Sequence, residues 1–79
     1  MLNENDPSVH ALAKAQYDNL SERERVILNL IVDGYTNTEI AGRLFISKKA
    51  TEEFRATVME KLNVRTTTAL IRFVLLNKL

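Results

Sequence analysis

The sequence predicts an all-α domain of four helices with an extra helix at the N-terminus. Three observations carry that expectation. Serine or threonine N-caps recur ahead of apolar stretches, and some are completed by a glutamate further on. Within those stretches the apolar residues return at helical rather than alternating spacing. Gly34 falls where the first strong stripe ends.

Residues 1–6 are polar and are expected to fray. Pro7 suits the first turn of a helix, with Asp6 as its N-cap. Val9, Leu12, Ala13 and Tyr17 recur at helical spacing and predict a helix over 7–18 with a weak apolar stripe. Ser21-Glu22-Arg23-Glu24 fits a capping box, and Leu20 is placed to act as its hydrophobic staple. Val26, Ile27, Leu30 and Ile31 then form the expected buried stripe. Gly34 closes that helix in the left-handed conformation that glycine adopts without penalty.

Thr36-Asn37-Thr38-Glu39 is a second capping box. It opens a short helix carrying Ile40, Ala41 and Leu44, which Phe45-Ile46-Ser47 breaks. Ser47 caps a helix over about 48–62 whose inward stripe is Ala50, Thr51, Phe54, Val58 and Leu62. Asn63-Val64 is a short link. A hydroxyl among Thr66, Thr67 and Thr68 caps a last helix, in which Ala69, Leu70, Ile71, Phe73, Val74, Leu75 and Leu76 are apolar on more than one face. Such a helix in so small a domain leaves apolar surface for a partner, most simply a second copy. The expected division is an N-terminal extension over 1–19 and a helical domain over 20–79.

Composition narrows the function classes. The 79 residues make one small domain, and 46% hydrophobic with 27% charged residues argues against wholesale disorder. The absence of cysteine removes disulfides, thiolate metal sites and a cysteine nucleophile. No apolar run is long enough to span a membrane, and MLNENDPSVH lacks the basic and apolar regions of a secretory signal. The expected location is the cytoplasm. His10 has no companion ligand, and no paired carboxylates, phosphate-cradling glycine loop or nucleophile with a base is visible. No enzyme activity, metal or cofactor is therefore expected. The net charge of +1 is too small to predict nucleic-acid binding by itself.

The stretch from Thr36 to Val64, a short helix, a tight turn and a longer helix, has the layout of a helix-turn-helix. Leu20-Ser21-Glu22-Arg23-Glu24-Arg25, Leu28-x-Leu30-Ile31, Gly34-x-Thr36-Asn37-x-Glu39-Ile40-Ala41, Leu44-x-Ile46-Ser47 and Lys61-Leu62-x-Val64 resemble the LuxR/GerE-type DNA-binding domain. That domain is found in response regulators, quorum-sensing activators and a stand-alone spore-coat regulator. The resemblance covers about Leu20 to Leu76. It implies a four-helix domain whose 48–62 helix enters the major groove of double-stranded DNA. It also implies a two-fold dimer through the final helix, with Leu70, Phe73, Val74 and Asn77 as its contact residues.

The departures fall on the DNA-facing side. Where the family usually has Thr-Val-Lys-x-His, this chain has Ala50, Thr51, Glu52, Glu53 and Phe54. Thr57 stands for a frequent Asn, and Val26 for a common acidic residue. Lys48 and Lys49 follow the N-cap, where they oppose the helix dipole, and are the leading candidates for DNA contact. Glu52 and Glu53 either accept from cytosine N4 or form a solvated face paired with Lys48 and Lys49. Thr36, Asn37 and Thr38 open a helix whose amino end can meet a phosphate, although capping alone accounts for Thr36. Arg55 and Arg43 are either flanking phosphate contacts or surface charges, and Ala56 lies on the same outward face.

Two functions follow. The first is a dimeric, sequence-specific DNA-binding transcription regulator. The second is a protein-interaction module that pairs with a related regulator, suggested by a helix whose charges nearly cancel.

Overall fold

The structure, a computed structural model, describes the backbone of residues 7–77 and 79 and the side chains of 10–77 and 79. The expected Asp6 cap, the fraying of 1–6 and the Val9 side chain lie outside the described residues. Five helices follow one another: α1 Pro7–Asp18, α2 Glu22–Val32, α3 Asn37–Leu44, α4 Lys48–Lys61 and α5 Thr67–Leu76. Among the described residues there is no strand.

The helix starts lie at the expected hydroxyls. In the α2 box the Ser21 hydroxyl accepts from the Glu24 amide at 3.1 Å, and Glu24 accepts from the Ser21 amide at 2.8 Å. Thr36 and Glu39 repeat this exchange at α3, at 3.2 and 3.0 Å. Ser47 and Thr66 cap α4 and α5 with single bonds to Ala50 and Ala69, at 2.9 and 3.0 Å. Each bond satisfies an amide that the helix itself leaves without a partner.

The helix ends share one device and use three different residues for it. Gly34, Phe45 and Asn63 all take positive φ, at 95°, 56° and 55°. Beyond each, an amide reaches back into the last turn: Tyr35 to Leu30 at 3.0 Å, Ile46 to Ala41 at 3.1 Å and Val64 to Met59 at 3.0 Å. This is the left-handed closure that Gly34 was expected to make. Asn63 tolerates the conformation through its short polar side chain, and Phe45 bears a steric penalty there.

α2 is the central element, packing on α4 and α5, while α3 packs on α4. The core is built from Ile27, Leu28, Ile31, Ile40, Val58, Leu62, Leu70 and Val74, with Leu20 sealing the start of α2. Val26 does not belong to this core, contrary to the expected stripe, and is 39% exposed. The inward row of α2 is Glu24, Ile27, Leu28 and Ile31, which points Val26 outward. Glu24 is buried because Lys61, at the end of α4, donates to it at 2.8 Å. That ion pair ties the first turn of α2 to the last turn of α4. It also holds the Glu24 carboxyl below the usual carboxylate range, with the Ser21 amide adding to the effect and burial opposing it.

α1 packs through buried Ala13 and through Tyr17, which leans on the core. Leu12, expected on the same stripe, is instead 58% exposed. The helix is held at both ends by polar contacts. Arg25 donates to the Asp18 carbonyl at 3.0 Å with its guanidinium 5.4 Å from the Tyr17 ring centre, and His10 Nδ1 lies 2.9 Å from Asn77 Oδ1.

On α5, Leu70 and Val74 are buried in the chain's own core. They were expected to be dimer contacts, but their i,i+4 row is the one that packs on α2. Phe73 is half-buried, and Asn77 is half-buried with its side-chain amide donating to the Phe73 carbonyl at 2.8 Å. The apolar surface that α5 does leave open is Leu75 and Leu76, the former 66% exposed.

Candidate nucleic-acid interface

α3, the turn Phe45–Ser47 and α4 form the helix-turn-helix. Two hydroxyls fix how α4 begins. Ser47 caps it, and the buried Thr51 hydroxyl donates back to the Ser47 carbonyl at 3.1 Å. α4 is anchored inward by Thr51, Val58 and Leu62, so its opposite side stands clear of the domain.

That outward side carries Lys48, Lys49, Glu52, Glu53 and Ala56, all exposed. Neither Lys48–Glu52 nor Lys49–Glu53 forms an ion pair, so the paired face offered as one of the two alternatives for these glutamates is not made. Glu53 borders a shallow groove with Ala50, Phe54 and Thr57 beside Glu24 of α2. Glu60 extends the exposed acidic row. Lys61 is engaged with Glu24 and donates to the Asn19 carbonyl at 3.4 Å. The outward face thus sets two lysines against three carboxylates.

The amino end of α3 lies beside α4. The Thr36 hydroxyl is occupied by capping, and Thr38 is exposed. The Glu39 carboxyl is held below the usual range, mainly by the Thr36 amide that it accepts from. Asn37 and Arg55 are joined: the guanidinium donates from Nη1 to Asn37 Oδ1 at 3.1 Å. Its Nη2 donates to the Thr67 hydroxyl at the start of α5. Arg43 lies over the Tyr35 ring, 4.1 Å from its centre, and donates to the Tyr35 hydroxyl at 2.8 Å.

Three features escaped the sequence reading. Arg55 sits on the flank of the inward stripe, four residues after Thr51, and that half-turned position was the available signal for an internal contact. Lys61 follows Val58 by three residues and was legible in the same way. Arg65 is an exposed cation in the α4–α5 link, two residues from Thr67, and no motif of the sequence marks it. Among the described residues, no helix is long and apolar enough to cross a membrane, and no group of acidic, histidine or cysteine side chains has the arrangement of a metal site.

Comparison with known proteins matches this architecture to one family. The model for bacterial regulatory proteins of the luxR family, GerE, matches residues 18–74. The chain is 45% identical over 60 residues to the oxygen regulatory protein NreC of Staphylococcus carnosus, which covers 76% of this chain and 28% of that protein. NreC proteins of Staphylococcus epidermidis and Staphylococcus aureus are 43% identical over the same share. The chain therefore spans little more than a quarter of the length of the curated relatives it matches. No solved structure matches it. The chain belongs to the luxR family of bacterial regulatory proteins, in which the helix-turn-helix is a DNA-binding device.

Proposed function

We propose that this chain is the DNA-reading module of a transcription regulator, that it selects sequence with the amino half of α4, and that it works as a dimer. One observation carries the reading. Lys48, Lys49, Glu52, Glu53 and Ala56 are all exposed on a helix whose other side is fixed, and among the described residues none of the four charged side chains is in an ion pair. A surface row without an internal role, at the point where recognition helices meet base edges, favours an external ligand.

Lys48 and Lys49 supply positive charge next to the phosphate ridge, with Thr38 and Arg65 flanking. Glu52 and Glu53 act as acceptors for cytosine N4, which gives this chain a base preference that a lysine there would not have. Dimerisation uses the exposed Leu75 and Leu76 side of α5, not Leu70 or Val74. Two half-sites then lie about one helical turn apart.

The test is selection from a random duplex library at low salt, with the oligomeric state measured alongside. Enrichment of paired half-sites containing cytosine supports the reading, and failure to enrich any duplex sinks it. The two-lysine, three-carboxylate balance of the outward face of α4 favours a second reading, a helix-turn-helix retained for pairing with a related regulator. Heterodimer formation without duplex enrichment supports that alternative.

A further inference from the structure

We infer that Arg55 is a positioning residue: its guanidinium pins the amino ends of α3 and α5 to α4 and thereby sets the pose in which α4 meets DNA. The inference rests on the proposed DNA-reading role for its consequence, though not for its geometry. Asn37 is the first residue of α3 and Thr67 the first of α5. One planar group reaches both, with Nη1 on Asn37 Oδ1 at 3.1 Å and Nη2 on the Thr67 hydroxyl. The two partners lie 18 and 12 residues away in sequence, so the contact joins three separate helices.

The chemistry suits a fork and not a point charge. Arginine presents donors in a fixed plane, so holding one partner orients the group for the other. Arg55 is half-buried, and both partners are neutral acceptors, so the contact does not neutralise its charge. Both tied helix starts meet α4 at Arg55, the neighbour of exposed Ala56. Asn37, moreover, is drawn toward Arg55 and is less available to a phosphate. α3 and α4 already pack together, with Ile40 and Val58 both in the apolar core. The polar fork adds a directional contact to that packing at the amino ends of α3 and α5.

The experiment uses the intact chain with Arg55→Met, Arg55→Lys, Asn37→Ala and the Arg55→Met/Asn37→Ala double variant. Affinity for the duplex enriched by selection is measured across a salt series, below the melting transition of each variant. Arg55→Met should weaken binding about tenfold, the loss of one charge-assisted contact's worth of pose. Arg55→Lys should do no better, because it keeps the charge and loses the fork. The salt slope should stay unchanged, and adding Asn37→Ala to Arg55→Met should cause no further loss. Rescue by lysine, or a slope smaller by about one unit, overturns the inference in favour of a direct phosphate contact. A lower melting temperature with unchanged affinity overturns it in favour of a purely structural tie. A second readout needs no DNA. In NMR spectra the wild-type guanidinium should show separate, slowly exchanging Nη protons that average out in Asn37→Ala. A freely averaging wild-type guanidinium overturns the clamp, whereas absence of duplex binding with the clamp intact overturns only the proposed function.

Discussion

The two sides of α4 contain the same kinds of residue and use them differently. On the inward side and its margins, even the polar groups are committed: Thr51 to the Ser47 carbonyl, Arg55 to Asn37 and Thr67, and Lys61 to Glu24. On the outward side, Lys48, Lys49, Glu52 and Glu53 are exposed and, among the described residues, in no ion pair. A charge at the margin of a packed face is held by a scaffold that loses a buried contact without it. A charge on the open face is constrained only by what lies outside the protein. The family resemblance is strong in the caps and core and weak from Ala50 to Phe54, a stretch that holds outward Glu52 and Glu53 but also buried Thr51 and half-buried Phe54.

The largest effect expected from breaking this contrast is on the packed side. Leu70→Ala should cost about 3 kcal/mol of unfolding free energy, measured by denaturant titration, because it empties a fully buried position. The loss should be independent of protein concentration. A concentration-dependent loss would return Leu70 to the dimer surface, whereas Leu75→Ser should alter association and leave monomer stability nearly unchanged.

Lys61→Met comes next. It leaves the Glu24 carboxylate buried without its partner and should cost about 2 kcal/mol, less than a fully buried pair because the Lys61 side chain is 39% accessible. The pH dependence gives a sharper check. The folded-state pKa of Glu24 is depressed, so its contribution is fully present at neutral pH. It is lost as pH falls below the ordinary carboxylate range and through the folded value. Stability curves of wild type and Lys61→Met should therefore converge on acidification, and parallel curves would show that Glu24 is not the linked group.

Phe45→Gly should stabilise the domain by about 1 kcal/mol, since a 96%-exposed side chain is removed from a left-handed residue with little packing to lose. If thermal melting shows a loss instead, Phe45 packs in a way that its exposure hides. Smallest in stability is the outward pair. Glu52→Gln and Glu53→Gln should each shift unfolding by only tenths of a kcal/mol. If the DNA reading holds, one of them should relax the cytosine preference in the selection, by up to about 1–3 kcal/mol of discrimination. A large stability change would place that carboxylate with the scaffold.

Much of the fold was legible because helix starts are written locally. Ser21, Thr36, Ser47 and Thr66 each need only residues within three positions to close a cap, and all four do so. Stripe assignment was less secure where one residue could face either way. Val26 and Leu12 are apolar and correctly spaced, but buried Glu24 and Ala13 set the actual rotation of their helices. A buried glutamate is hard to foresee when its partner lies 37 residues away. The same distance problem hid the Arg55 contacts. For α5, sequence showed apolar surplus but not which half packs internally, so Leu70 and Val74 were placed on the wrong side. The outward row of α4 was legible as a surface, since its residues are exposed, while exposure by itself names no ligand.

Tyrosine stacking has a practical consequence. The chain has two tyrosines and no tryptophan, and each tyrosine lies under an arginine. Intrinsic ultraviolet emission therefore comes from two sites at different places in the fold. Tyr17 reports on the seam between α1 and α2. Tyr35 directly precedes the Thr36 cap and shares its hydroxyl with Arg43. Substituting Tyr17 with Phe leaves a single emitter beside the amino end of α3. Any ligand that draws Arg43 off that ring then changes the signal, giving a label-free optical titration at the end of the helix pair proposed to meet DNA.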